Sequence, residues 1–223
     1  MSADRIQYVN QLNKSVERHV PTITEMEEYA KEHHVPILDQ GSTSFLTQMI
    51  QLSGAKRILE VGTAIGYSSL QMANVHQDIE VVTIERDSER ARMARNFHSQ
   101  CGMDRQISIL EGDAFEFEET LQSSEPFDFL FIDASKGHNR AFVNAFSPRL
   151  KSGGVMVVDN VLFRDYVTGD LDIPKRFRQM VKKLQAFNDW LSNHPQFSTT
   201  YYTIGDGMAV SIKRSMTNDA EKL

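Results

Sequence analysis

A single cysteine, Cys101, stands among 223 residues, so no disulfide can close within the chain. That usage agrees with a reducing, cytoplasmic setting. Cys101 precedes Gly102 near an expected helix end and is read as structural, because a reactive thiolate needs an electropositive niche. No apolar run approaches the ~20 residues that a membrane span requires. Residues 1–13 have neither an apolar core nor a cleavage-site pattern, so no secretory signal is expected. Positive charge is not in excess. The formal net charge of −6 argues against broad, non-specific binding to nucleic acid, though not against a local basic patch. Zinc spacing is absent too: the seven histidines are scattered, and His33, His34 and His138 read as surface or packing residues. Repeats, low-complexity tracts and linkers are also missing.

What is present suits one globular domain. An apolar fraction of 40% and a charged fraction of 24% allow a substantial core. The whole chain, 1–223, is read as one domain, with N-terminal helices over 1–55, a core over 56–213 and a tail over 214–223. Thr22-Ile23-Thr24-Glu25 has the form of a capping box opening a helix that runs to about residue 34, and Pro36 ends the pattern. A second helix, about 42–52, stops at Gly54. From Arg57 onward, apolar strand-like runs at 58–61, 81–84, 107–110, 129–132 and 155–158 alternate with helical stretches, notably 88–100 and 139–150. That alternation predicts right-handed crossovers and a parallel sheet covered on both faces. After a long helix at about 174–193, runs at 199–204 and 208–212 flank Gly205-Asp206-Gly207 and predict a hairpin, hence an antiparallel edge. The expected architecture is α/β and Rossmann-like: a mostly parallel seven-stranded sheet with an antiparallel C-terminal hairpin strand. Lys175, Arg176, Arg178, Lys182 and Lys183 recur at near-helical spacing and are read first as a solvated face, ahead of a phosphate-binding one.

The chemistry concentrates where strands end. Glu60-Val61-Gly62-Thr63-Ala64-Ile65-Gly66-Tyr67-Ser68 takes an apolar strand through an acid and two glycines into a helix. Gly62 and Gly66 let the backbone approach a ligand closely, and Ser68 offers a hydroxyl. Glu85, about twenty residues on, is placed to accept from ribose hydroxyls. Asp113 is placed to accept from an adenine amino group, or else to cap a helix. Ligands of open α/β sheets sit at the carboxyl ends of the strands, and the acids Glu60, Glu85, Asp113, Asp133 and Asp159 all fall there. Asp133, Asp159 and Asn160 supply two carboxylates and an amide oxygen, a hard partial shell suited to Mg²⁺. Lys136 reaches the same space and could take a proton from a substrate hydroxyl.

These residues resemble a known family. The segments Glu60 to Ser68, Phe131-Ile132-Asp133-Ala134-Ser135-Lys136 and Val158-Asp159-Asn160, in this order, are similar to the cation-dependent class I O-methyltransferases of the catechol and caffeoyl-CoA type. The likeness spans about 37–213. It implies that Leu38, Gly62, Ser68, Glu85, Asp113, Ala114 and Asp133 bind S-adenosylmethionine. It implies further that Asp133, Asp159 and Asn160 hold Mg²⁺, that Lys136 and Asp133 are catalytic, and that the protein is a homodimer. In size and in the ending Tyr202-Thr203-Ile204-Gly205-Asp206-Gly207-Met208-Ala209-Val210, the chain most resembles bacterial enzymes that methylate 5-hydroxyuridine at the tRNA wobble position. The implied partner is then the tRNA anticodon region, with Arg164, Lys31, Lys56, Arg57 and Arg86 as candidate contacts around the pocket mouth. Residues 162–171 depart most from the catechol enzymes, so their substrate does not carry over. The alternatives are an O-methyltransferase of small catechol-like phenols, a non-catalytic donor-binding module and an NAD-dependent dehydrogenase. Ala64, at the second glycine position of the dehydrogenase fingerprint, Glu60 and the Asp159-Asn160 pair all argue against the last.

Overall fold

A computed structural model describes residues 3–13, 21–169 and 171–215. Seven strands form one sheet: β1 Arg57–Val61, β2 Glu80–Glu85, β3 Ile107–Glu111, β4 Phe127–Ile132, β5 Leu150–Asp159, β6 Phe197–Tyr202 and β7 Met208–Lys213. Their order across the sheet is β3-β2-β1-β4-β5-β7-β6. The first five run parallel, and β7 lies antiparallel to both β5 and β6. The direction of succession reverses between β1 and β4, and such a reversal opens a crevice at the carboxyl ends of the strands.

The apolar runs pack on both faces because pleated side chains alternate. Ile58, Phe129, Phe131 and Val157 join Met26, Leu46 and Leu70 on one side. These come from helices α2 Pro21–Glu32, α3 Gln40–Ser53 and α4 Tyr67–Ala73; α5 Ser88–Gln100 adds Phe97. Leu59, Leu130, Ile132 and Val158 meet the other side, where α6 Glu118–Gln122 gives Leu121, α7 Asn139–Phe146 gives Phe146, and α8 Arg178–Ser192 gives Leu184 and Phe187. A further helix, α1 Ala3–Asn13, packs near α3. No helix among the described residues is long and apolar enough to cross a membrane.

Several boundaries depart from the sequence expectation. Helix α2 already includes Pro21, so Thr22 lies in its first turn, buried, rather than capping it. The helix expected over 139–150 ends at Phe146. Pro148 sits in a 3-10 turn, Ser147–Arg149, and Leu150 starts β5. The helix expected from residue 174 begins at Arg178, because Pro174 is extended and a 3-10 turn, Lys175–Phe177, intervenes. The C-terminal hairpin forms, but β7 inserts between β5 and β6. The antiparallel strand is therefore internal, and β6 is the edge.

Candidate active site

The glycine loop is shaped by the protein before any ligand enters. At the end of β1, Gly62 has φ +105°, and a Cβ there would stand 2.2 Å from the carbonyl oxygen of Asp133. Only glycine tolerates both. Its amide and that of Thr63 donate to Ile84 O at 3.0 and 3.2 Å, while Asp133 N donates to Val61 O at 3.0 Å. Ala64, at φ +47°, donates its amide to Glu85 Oε2 at 2.8 Å, and Glu85 Oε1 accepts from Asp87 N at 2.9 Å. Gly66 has φ +87°, and a Cβ there would fall 2.4 Å from His98 Nε2. That buried ring lies 3.1 Å from Gly66 O and 3.0 Å from Ser69 Oγ, and burial pushes its pKa down. His98 thus braces the loop from α5. Its sequence position carried no signal of this, because the contact spans thirty-two residues.

Glu60 works beneath the loop. It is fully buried and accepts hydrogen bonds from Ser68 Oγ and, at 2.5 Å, Thr83 Oγ1. Burial pushes its carboxyl up to about 8, against these two hydroxyls. Ser68, read as offering a hydroxyl to the ligand, gives it to Glu60. Asp113 accepts from Phe115 N at 3.0 Å and caps the short turn Ala114–Phe117. Leu38 is buried just before Asp39, whose carboxylate caps α3 by accepting from Ser42 N at 3.1 Å.

Register then gathers the acids. Val61 lies opposite Ile132, and Ile132 opposite Val158, so Gly62, Asp133 and Asp159 emerge side by side. Asp159 is 6% exposed. Its Oδ2 accepts from Asn160 Nδ2 at 2.9 Å, while its Oδ1 is buried and has no hydrogen-bond partner. Burial and then the charge of Asp133 push the Asp159 carboxyl up; burial pushes Asp133 up, opposed by Lys136. An orphaned buried carboxylate oxygen costs free energy, and a hard cation is the group that would satisfy it together with Asp133 and the amide oxygen of Asn160. Among the described residues no group of three His, Cys, Asp or Glu side chains is assembled for a metal; here the third donor is an amide.

Lys136 opens the turn Lys136–His138. Its Nζ stands 5.6 Å from the centre of the Phe163 ring, and its charge acts on both Asp133 and Asp159. Arg164 is exposed, and its guanidinium lies 5.8 Å from the centre of the Phe163 ring. Asn160, Phe163, Arg164 and Asp165 all have positive φ, an uncommon run for residues with side chains. The hairpin turn holds it: Val161 N donates to Gly207 O at 3.0 Å, and Leu162 N to Asp206 O at 2.8 Å. Gly205-Asp206-Gly207, legible in sequence only as a turn, therefore also anchors the loop after Asn160.

Two candidates do not reach this rim. Lys56 and Arg57 lie at the amino end of β1, where Lys56 is 3.9 Å from Asp78 and Arg57 is 3.7 Å from Glu80. The strand's own length separates them from the site. Arg86 follows β2 on the correct side and is exposed, and Lys31 is exposed on α2. Of the histidines read as surface or packing residues, His33 packs on Tyr29 with ring centres 4.1 Å apart, and His138 lies 3.2 Å from Ser135 Oγ. A cavity of about 380 Å³ opens elsewhere, beside Val9, Phe45, Gln48 and Ile204, and none of the rim acids lines it.

The chain as a whole is similar to known proteins. The model of the O-methyltransferase family matches residues 2–214. The caffeoyl-CoA O-methyltransferase of Populus kitakamiensis is 30% identical over 182 residues, covering 79% of this chain and 76% of its own. A solved structure from Staphylococcus aureus, provisionally assigned as a caffeoyl-CoA O-methyltransferase, superposes with a TM-score of 0.86 at 36% identity, covering 93% of this chain and 98% of that one. The O-methyltransferase TomG of Streptomyces achromogenes, involved in tomaymycin synthesis and solved with S-adenosylmethionine, gives 0.83 at 26% identity, covering 96% and 100%.

Proposed function

Because this chain belongs to the O-methyltransferase family, we propose that it transfers a methyl group from S-adenosylmethionine to a hydroxyl oxygen held at the Asp133–Asp159–Asn160 rim. The acceptor we propose is 5-hydroxyuridine at the wobble position of tRNA, giving 5-methoxyuridine. Family membership sets the dehydrogenase reading aside. The observation that carries the site assignment is Asp159, buried beside a second carboxylate with one oxygen left without a partner.

The donor supplies an electrophilic methyl on a sulfonium centre. The loop from Gly62 to Gly66 would give it a close backbone surface, Glu85 at the end of β2 would receive its ribose, and Asp113 and Ala114 would border its base. Asp133, Asp159 and Asn160 would hold a divalent cation such as Mg²⁺, whose charge would make an acceptor hydroxyl more acidic. Lys136 stands where its charge acts on the same two carboxylates, and its amine, when unprotonated, would take the hydroxyl proton. Rate follows largely from orientation, since both partners meet on one rigid rim.

The test is direct. Asp159→Ala, which removes a proposed ligand itself, should lower methyl incorporation at least about a hundredfold, the upper end of what loss of a mere outer-shell partner costs, while S-adenosylmethionine still binds. EDTA should stop turnover by the parent protein. Activity that persists in either case defeats the metal assignment. The second reading, small catechol-like phenols, draws on the caffeoyl-CoA relatives; nucleoside mass spectrometry of tRNA from a deletion strain separates the two. Accumulated 5-hydroxyuridine supports the tRNA acceptor, and unchanged modification favours the phenol.

A further inference from the structure

Beside the acidic rim stands a feature that methyl transfer itself does not use. Lys175, Arg176, Arg178, Lys182 and Lys183 are all exposed, along about 13 Å of turn and helix. No Asp or Glu occurs from 173 to 188. Arg178 has Asp172 at 3.9 Å; the other four have no carboxylate within 4.0 Å among the described residues. In a chain of net charge −6, such a run is an island of the opposite sign. It is also continuous with the site. Phe177 lies 5.4 Å from Phe163 and 6.2 Å from Tyr166, ring centre to ring centre. Arg176 caps Phe177 at 4.5 Å, and Lys136 sits over Phe163 at 5.6 Å. The Lys183 side chain passes 4.0 Å from where a Cβ on Gly137 would stand, next to Lys136.

We propose that this ridge docks a single-stranded RNA segment: a base stacks on the Phe163–Tyr166–Phe177 cluster, and flanking phosphodiesters track from Lys175 to Lys183. Aromatic faces interleaved with cations are what single strands need, because stacking is tolerant of sequence and the charge follows the backbone. The cations are spread out and solvated, not converged on one buried point. They suit an extended polyanion better than a single phosphate. The strained backbone at Phe163, Arg164 and Asp165 is held by the hairpin turn, which presents Phe163 to both Lys136 and the ridge. The proposal rests on the RNA acceptor given above and assigns it a path onto the protein.

The probe is a synthetic anticodon stem-loop carrying 5-hydroxyuridine, with coenzyme A as a small phosphate-bearing comparator, each followed with the full chain by fluorescence anisotropy or calorimetry. Lys182→Glu/Lys183→Glu should weaken stem-loop binding at least about tenfold and lower its salt slope by about 1.4, as expected for two lost single-strand phosphate contacts. Lys182→Arg/Lys183→Arg should keep the affinity, and S-adenosylmethionine should bind all variants alike. Tyr166→Ala should cost about tenfold with the slope unchanged, since stacking is not a charge effect. Unchanged affinity in the charge-reversed variant overturns the ridge, as does binding of coenzyme A in preference to RNA. Methyl incorporation into the same stem-loop reads the site separately. Binding without transfer in the parent would sink the active-site reading and leave the ridge standing, whereas transfer indifferent to the reversed lysines would do the opposite.

Discussion

Glu60 shows how one residue ties stability to pH. Its carboxyl is raised from 4.5 to about 8, chiefly by burial. A raised acid favours the folded state while protonated, so its contribution is full below about pH 4.3 and disappears as pH rises through about 8. The parent protein, measured in EDTA, should therefore lose stability between pH 5 and pH 8.5, by up to about a few kcal/mol from this group. Glu60→Gln should flatten that slope, since Thr83 can turn its hydroxyl towards Thr63, 2.6 Å away, and accept from the new amide. Urea midpoints measured across that range check it; an equal slope in both proteins would refute the assignment. The acids themselves were legible because strand ends are recognisable in sequence. Their hydrogen bonds were not. That Ser68 turns inward to Glu60, and that Asp159 keeps one oxygen orphaned, depends on neighbours brought in by the sheet.

Among the elements, the turns at glycine decide whether the rim exists. Gly62 must accept both φ +105° and the Asp133 carbonyl in its Cβ position, whereas Gly54, the cap of α3 at φ +64°, has nothing within 4 Å. Gly62→Ala should thus cost at least about 3 kcal/mol or prevent folding, and Gly54→Ala only about 1 kcal/mol. Equal losses in chemical denaturation would show that the β1–β4 junction is softer than drawn. The glycines themselves stood out in the sequence, but the reason for Gly62 did not. A close approach to ligand was expected, and a close approach to the neighbouring strand is what the fold adds. Prolines misled at two helix boundaries for a related reason. Pro148 and Pro174 each permit a 3-10 turn or extended lead-in that residue periodicity absorbs into a helix.

For the whole molecule, the sheet couples two apolar layers. Phe131 is fully buried on one face, and Trp190, the single tryptophan, packs near Phe187 on the other. Phe131→Ala should destabilise the protein by about 3–5 kcal/mol. If the layers unfold as one unit, Trp190 fluorescence and far-ultraviolet circular dichroism should still give coincident transitions in the variant. Separated transitions would mean that the layers melt independently. Charge is also a property of this scale. The net −6 hides a basic ridge that only the placement of α8 beside Lys136 makes meaningful.

The sequence by itself determined the alternation of strands and helices, the parallel core with its C-terminal hairpin, and the acids at the strand ends, because period and breakers are local properties of the chain. Tertiary structure alone decided which of those acids stand side by side, that Lys56 and Arg57 face the far end of the sheet, that His98 braces Gly66, and that the hairpin turn holds the loop after Asn160. Each of these pairs residues distant along the chain, and pairing register, which no single segment contains, is what brings them together.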